Sequence, residues 1–445
     1  VKRESNKRRK SGRLGATDEC RWLAGASVAI LGGCGHVGLP LGMAFARAGC
    51  TVDLIDVSSE RVEQVNRCRM PFFESGADQL LPELIRSGRI RATTSNRAVA
   101  TAAAVLVTIG TPAGTELDLS VIHQIIPRLP NGQLLILRST LPAGTTDQLA
   151  RDIAAAGRPD VDLAYCPERI VQGRSLEELS ALPQLVAGVT PRAARRAANL
   201  FELIANQVIF LQPIEAELAK LFSNAYRYIH FAISNQFYLL AQQHGADFNQ
   251  VFHALRQNYP RMQSFARPGF AGGPCLVKDT MHLTAGRLDF PLGTAALAVN
   301  GTFPQRIVRL LQQRYPLDRW TVGILGMAFK PECDDPRDSL SYALRDVLEP
   351  VCQSVLCTDP YVADPDLVEL REVLARADLL VVGTAHSCYG ALKCRQPVFD
   401  VTDTSRATDS NGHVLRGLQQ IRPGTNRNGT LIPGRNGKAK QRKRA

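Results

Sequence analysis

Residues 27–56 read SVAILGGCGHVGLPLGMAFARAGCTVDLID, and much of the chain's organisation follows from them. Ser27–Leu31 has the apolar pattern of a buried strand, and Thr51–Ile55 repeats it. Between them, Gly33-x-Gly35-x-x-Gly38 opens a helical pattern. Glycines at this spacing permit a tight turn, close approach of backbone to a pyrophosphate, and close packing of helix on strand. Asp56 ends the second strand, 21 residues after Gly35. A carboxylate there binds ribose hydroxyls and repels a 2′-phosphate. The stretch reads as a dinucleotide-binding turn favouring NAD over NADP, with Arg61 placed to meet adenine or a phosphate.

Outward from this unit, apolar runs at Ala104–Ile109 and Leu134–Leu137 alternate with helical patterns up to Leu211. Buried runs between helices indicate a parallel sheet. Residues 215–244 then form one long helix, stopped by Gly245, with an apolar stripe through Leu218, Phe222, Ala225, Ile229, Ile233 and Leu240. A second α/β stretch begins with Thr321–Leu325 and returns strands at Val355–Cys357 and Leu379–Val382; the two α/β parts are candidates for one fold type. The expected class is α/β. Residues 24–211 form an NAD-binding Rossmann-like domain, 212–303 a helical central domain and 304–420 a second Rossmann-like domain. Disordered basic tails at 1–23 and 421–445 flank them.

The net charge of +12 invites a nucleic-acid reading, but its location argues otherwise. Residues 1–14 carry a net +6 and residues 427–445 a net +7, so the body is about −1. Such polar ends bury too little apolar surface to order themselves, and nucleic acid is an unlikely partner of the body. Residues 22–46 lack charged residues, yet breaks at Gly32, Gly33, Gly35, His36, Gly38 and Pro40 and an immediate strand pattern favour a soluble domain over a signal or membrane span. The eleven cysteines are scattered without C-x-x-C or metal spacing. Reduced thiols, a cytoplasmic location and no metal site are expected.

Residues 267–280 read RPGFAGGPCLVKDT. Gly269, Gly272 and Gly273 permit backbone contact with a ligand. Pro274 starts a helical pattern that puts Cys275 in its first turn, where the helix dipole favours thiolate. Lys278 and Asp279 follow on the same face. A thiol, a cation and a carboxylate after a glycine loop read as an activated nucleophile. On the long helix, Lys220 and Asn224 lie one turn apart, an amine and an amide able to stabilise an alkoxide.

With these residues in hand, the chain resembles the nucleotide-sugar 6-dehydrogenases of UDP-glucose and UDP-N-acetylhexosamines, from about Ala24 to Asp403. Seven motifs occur in family order: GGCGHVGLP (32–40), TP (111–112), RSTLPAGTT (138–146), CPERIVQG (166–173), ELAKLFSNAYR (217–227), PGFAGGPCLVKDT (268–280) and GMAFKPECDDPRDS (326–339). The resemblance implies two-step, NAD-dependent oxidation of the C6 hydroxyl of a UDP-sugar to a uronate, supplying surface polysaccharide. It makes Cys275 the nucleophile that carries a thiohemiacetal and a thioester. Lys220 and Asn224 stabilise the oxyanion, Asp279 assists proton transfer, and Glu168 and Thr140 position the water. Cofactor positions are Gly33, Gly35, His36, Val37, Gly38, Asp56, Arg61, Thr111, Thr140, Lys278 and Arg337. Substrate positions are Glu168, Lys220, Asn224, Arg261, Phe270, Gly272, Phe329 and Lys330.

The resemblance also makes 304–420 a UDP-sugar-binding domain and implies a homodimer built on the long helix, Arg261 serving the neighbouring subunit's site. CPERIVQG and YPR lie closer to the UDP-N-acetylmannosamine and UDP-N-acetylglucosamine branch, which is slightly favoured, whereas KDT resembles the UDP-glucose type. Gln172 stands where the UDP-glucose branch has a second glutamate, and Ala271 and Pro274 also depart from the usual loop. Two rivals remain from the residues alone: a single-step β-hydroxyacid dehydrogenase, which also uses a helical Lys-x-x-x-Asn pair, and binding of nucleic acid or anionic surfaces through the basic ends.

Overall fold

A computed structural model of the chain describes residues 25–110, 119–285, 289–392, 394–400 and 402. The fold has two compact units, divided between Phe222 and Ser223. The basic tails and Thr111 lie outside the described residues.

The first unit is built on an eight-stranded sheet: β1 (Ser27–Leu31), β2 (Thr51–Ile55), β3 (Ile90–Thr93), β4 (Ala104–Val107), β5 (Leu134–Leu137), β6 (Asp162–Tyr165), β7 (Gln184–Gly188) and β8 (Val208–Phe210). Their order is β3-β2-β1-β4-β5-β6-β7-β8. All neighbours pair in parallel except β6 with β7. The alternation of side chains along a strand explains the two cores. Val28 and Ile30 enter one cluster with Leu39 and Phe45, while Ala29 and Leu31 enter the other with Val107 and Leu135. The order of the strands across the sheet reverses between β1 and β4, the switch point where α/β sheets bind ligands. β4 stops at Val107, two residues short of expectation, because Thr108 turns to donate its hydroxyl to the Leu31 carbonyl at 2.8 Å.

The second unit carries a four-stranded parallel sheet: β9 (Thr321–Leu325), β10 (Ser354–Thr358), β11 (Leu379–Val382) and β12 (Val398–Phe399). The order β10-β9-β11-β12 repeats β2-β1-β4-β5, so the two α/β parts do share a strand arrangement. Among the described residues no helix is long and apolar enough to cross a membrane.

The long helix spans Pro213–Gln243. It starts two residues early because proline fits a first helical turn. It ends as expected at Gly245, whose φ is 65°. There Ala246 N–H reaches the Ala241 carbonyl at 2.9 Å and Gly245 N–H the Gln242 carbonyl at 3.1 Å, satisfying carbonyls the helix leaves open. The apolar stripe read from the sequence needs correction. Phe222, Ile233 and Leu240 are exposed, together with Tyr226 and Phe237. Ala225 faces inward as read, but its buried companions are Tyr228, Ala232, Asn235 and Tyr238. On that face Asn235 fixes the neighbouring backbone: it donates to the Gly269 carbonyl at 3.0 Å and accepts the Gly269 N–H at 2.8 Å.

Candidate active site

In the first unit, the glycine turn leaves the carboxyl end of β1. A Cβ on Gly33 would lie 2.7 Å from the Ile30 oxygen and the Leu54 Cα, and one on Gly38 2.4 Å from the Gly32 oxygen. Those two glycines are required by the fold itself. Gly35 is different: a Cβ there meets only the Gly32 oxygen, at 3.3 Å. Its bareness leaves room on the open side of the turn, as a pyrophosphate requires. Asp56 follows β2 and accepts the Cys34 N–H on one oxygen and the Ser58 N–H on the other, each at 3.0 Å. A carboxylate has about four acceptor sites, so half its capacity remains for ribose hydroxyls. Val37 caps the helix Gly38–Arg47, His36 stacks on Phe72 with centroids 4.0 Å apart, and Arg61 stands exposed in the helix Ser59–Asn66. Burial pushes the Cys34 thiol up to about 12, with Asp56 adding to the rise and Arg61 opposing it. Cys34 is an inert packing residue, and the turn fits NAD.

Thr140 and Glu168 follow β5 and β6 on the same carboxyl edge. Glu168 is buried, and three donors take up most of its acceptor capacity. One oxygen accepts the N–H groups of Arg169 at 2.7 Å and Ile170 at 2.9 Å; the other pairs with Arg138. The Arg138 side chain has no solvent exposure, donates to the Cys166 carbonyl and Gln184, and lies over the Phe201 ring at 4.8 Å. Burial lowers its pKa to about 10, against the pull of Cys166 and Tyr165, so it stays charged at neutral pH. Lys220 is buried on the long helix, one turn after Glu217. The Glu217 carboxylate takes the N–H groups of Gly144 at 2.6 Å and Thr146 at 2.7 Å and the Thr146 hydroxyl at 2.6 Å. It thereby supplies the cap that Gly144 cannot give the helix Thr145–Ala155, and ties the Lys220 turn to the loop bearing Thr140.

In the second unit Cys275 is exposed and forms the N-cap of the helix Leu276–Thr284, one residue outside the first turn expected for it. The correction is small: the Asp279 N–H still bonds to the Cys275 carbonyl at 2.9 Å. Asp279 is buried and accepts the Asn224 amide at 2.6 Å, while Lys278 beside it is buried as well. The loop before Cys275 is pinned. Gly273 has φ 93°, its N–H bonds to the Asp338 carbonyl at 2.9 Å, and a Cβ there would sit 2.4 Å from the Phe329 ring. A Cβ on Gly272 would lie 2.5 Å from the Asp338 oxygen. Arg337 forks onto Asp335 at 2.6–3.1 Å. That hydrogen bond raises its pKa against burial, with smaller contributions from Asp335, Cys275 and Asp338 charges. Phe270 packs against Phe303 at 5.8 Å, and Lys330 lies 5.9 Å from the Phe329 ring centre. Arg261 is exposed, its guanidinium over Tyr259 at 4.6 Å.

Comparison with known proteins decides what these parts belong to. Profiles of the UDP-glucose/GDP-mannose dehydrogenase family match residues 26–205 as its NAD-binding domain, 214–301 as its central domain and 323–409 as its UDP-binding domain. The chain belongs to this family. It is an NAD-dependent UDP-sugar dehydrogenase, an oxidoreductase. It is 30% identical over 376 residues to the UDP-N-acetyl-D-mannosamine dehydrogenase of Pyrococcus horikoshii, covering 81% of this chain and 89% of that one. The solved structure of UDP-D-ManNAc dehydrogenase from P. horikoshii superposes with a TM-score of 0.81 at 27% identity, over 88% of this chain and 99% of the other. A UDP-glucose dehydrogenase from Pyrobaculum islandicum follows at 0.79 and 27%, over the same shares. The dehydrogenase fold alone therefore does not separate the two sugars.

Three elements of this dehydrogenase escaped the sequence reading. Arg138 had a signal, since a cation directly after the apolar strand LLIL must find a buried partner. Glu217 had none that distinguishes it from a surface helix glutamate. Asp359 and His386, which close the turn after β9, had half a signal: Asp359 follows SVLCT as Asp56 follows TVDLI.

Proposed function

We propose that the enzyme oxidises the C6 hydroxyl of a UDP-N-acetylhexosamine, UDP-N-acetylmannosamine foremost, to the uronate in two steps through Cys275. The observation that carries this reading is Cys275 itself. It is an exposed thiol at a helix N-terminus, with the Asp279–Asn224 pair one turn deeper. The P. horikoshii relative's activity and the CPERIVQG and YPR motifs favour an N-acetylhexosamine; UDP-glucose is the alternative.

NAD+, held by Gly33, Gly35, Gly38 and Asp56, supplies the hydride acceptor for each oxidation. The remaining chemistry belongs to the chain. An aldehyde has no carbinol hydrogen to give up, so the Cys275 thiolate adds to its carbonyl carbon and makes a thiohemiacetal that does. Lys220 and Asn224 donate to the oxygen on which negative charge develops. At the acid oxidation level the carbon is a thioester, which water cleaves to carboxylate and the Cys275 thiol, releasing one proton. Asp279 handles the accompanying proton, and Thr140 and Glu168 orient the water. Glu168, held by a buried guanidinium and two N–H groups, suits acceptance of a hydrogen bond rather than donation of a proton. Phe329, Lys330, Phe270 and Gly272 contact the sugar nucleotide, and Lys278 and Arg337 reach toward the cofactor.

The exposed stripe Phe222, Tyr226, Ile233, Phe237 and Leu240 supports a homodimer on the long helix, with Arg261 completing the neighbour's site. The product serves surface polysaccharide, made in the cytoplasm. The test is stoichiometric: purified enzyme should form two NADH per UDP-N-acetylmannosamine, and Cys275→Ala should abolish turnover. Full-rate turnover by that variant overturns the mechanism, and one NADH per substrate returns the single-step reading. A panel including UDP-N-acetylglucosamine and UDP-glucose ranks the sugars.

A further inference from the structure

The turn 326–332 follows β9 and carries Phe329 and Lys330. Its first half is held by Asp359, whose Oδ2 accepts the N–H groups of Met327 at 2.6 Å and Ala328 at 3.0 Å. Its last residue is held by His386, whose Nδ1 accepts the Glu332 N–H at 3.1 Å. The other ring nitrogen, Nε2, lies 3.1 Å from Asp359 Oδ2. Because Nδ1 accepts from an N–H, hydrogen-bond logic assigns the neutral ring's proton to Nε2, which donates to the carboxylate. Both side chains are wholly shielded from solvent.

A closed loop of bonds results, running from Met327 and Ala328 through Asp359 and His386 to Glu332. Glu332 needs such a hold. Its φ of 53° is left-handed backbone, which a side-chain-bearing residue keeps only where its surroundings impose it. Its carboxylate is fastened too, by the Tyr361 hydroxyl at 2.8 Å and the Ser387 N–H at 2.7 Å. Phe329, inside the braced turn, lies against Gly273, two residues before Cys275.

We infer that His386 is a positioning residue for the sugar nucleotide, locking both ends of the turn that presents Phe329 and Lys330. This rests on the reading that the turn contacts the sugar nucleotide, so the experiment tests the two separately. In the full chain, UDP binding is measured by calorimetry and NADH binding by fluorescence for His386→Ala, His386→Asn, His386→Gln and Lys330→Ala. Asn retains an acceptor near the Nδ1 position and Gln a donor near Nε2; Ala retains neither.

The expected result is UDP binding at least tenfold weaker for His386→Ala, with NADH affinity within twofold of the parent. Asn and Gln should each recover part of the loss, and in turnover the KM for the sugar nucleotide should rise more than kcat falls. Unchanged UDP binding in all His386 variants, beside a weakened Lys330→Ala, overturns the inference alone. Unchanged UDP binding in Lys330→Ala overturns the underlying reading. If His386→Ala does not fold, Asn and Gln carry the test, and a parallel loss of UDP and NADH affinity in them overturns the positioning role.

Discussion

Two turns in this molecule start from one plan and end as different devices. After β1 and after β9 a glycine with positive φ, 75° at Gly32 and 90° at Gly326, opens the turn. Its N–H bonds to the end of the neighbouring strand, at Ile55 or Thr358. A threonine beyond the next strand packs against that glycine, Thr108 in one unit and Thr384 in the other. An aspartate follows the second strand in both. Asp56 accepts two N–H groups and is part-exposed. Asp359 accepts four, from Met327, Ala328, Tyr361 and Val362, plus His386, and is sealed from solvent. A carboxylate has about four acceptor sites. The first aspartate has capacity left for a ligand, and the second has spent all of it on its own turn. A shared topology thus predicts a site only where hydrogen-bonding capacity is left over.

Removing the two carboxylates should separate the devices most strongly. Asp359→Ala leaves five donors without their acceptor, each costing about 1–3 kcal/mol if it stays buried. A stability loss of about 5 kcal/mol or more is expected in denaturant unfolding. A loss no larger than that of Asp56→Ala would break the comparison.

Asp56→Ala should instead weaken NADH about 10- to 100-fold, for about 1.4–2.8 kcal/mol of lost ribose bonding. Fluorescence titration reads this, and an unchanged Kd would remove Asp56 from the cofactor site.

Protonation gives a third handle. Burial works to raise the Asp359 pKa, but the His386 bond and the N–H groups of Tyr361, Ala328 and Val362 prevail and hold it at about 2, against 3.8 unperturbed. A depressed carboxylate stabilises the fold fully above pH 4. That contribution, about 2 kcal/mol, is lost as pH falls from about 4 through about 2. Acid unfolding of Asp359→Asn should lack this limb, whereas a limb of parental steepness would assign it elsewhere.

The smallest and sharpest contrast lies among glycines of the first turn. Gly33→Ala should cost about 1–3 kcal/mol, because backbone atoms stand in the way. Gly35→Ala should change stability by about 0.5 kcal/mol or less and still weaken NADH binding. Equal thermal shifts for the two would refute the distinction between a glycine kept for the fold and one kept for the ligand.

The sequence alone was enough for the glycine turn, the strands around it and their parallel class. Each depends on neighbours a few residues apart: apolar runs, a glycine spacing, an aspartate closing a strand. The helical placement of Lys220 with Asn224 and of Cys275 with Asp279 was legible for the same reason, each pair lying about one turn apart. The tertiary structure decided what lies between distant residues. Arg138 meets Glu168 across 30 positions, His386 meets Asp359 across 27, and Glu217 caps a helix 73 residues upstream. Which half of the long helix's apolar stripe faces outward was decided there too. Burial and hydrogen-bond satisfaction are properties of the packed chain: a carboxylate in a string of letters shows its charge, and only its folded surroundings show how many bonds it has left to give.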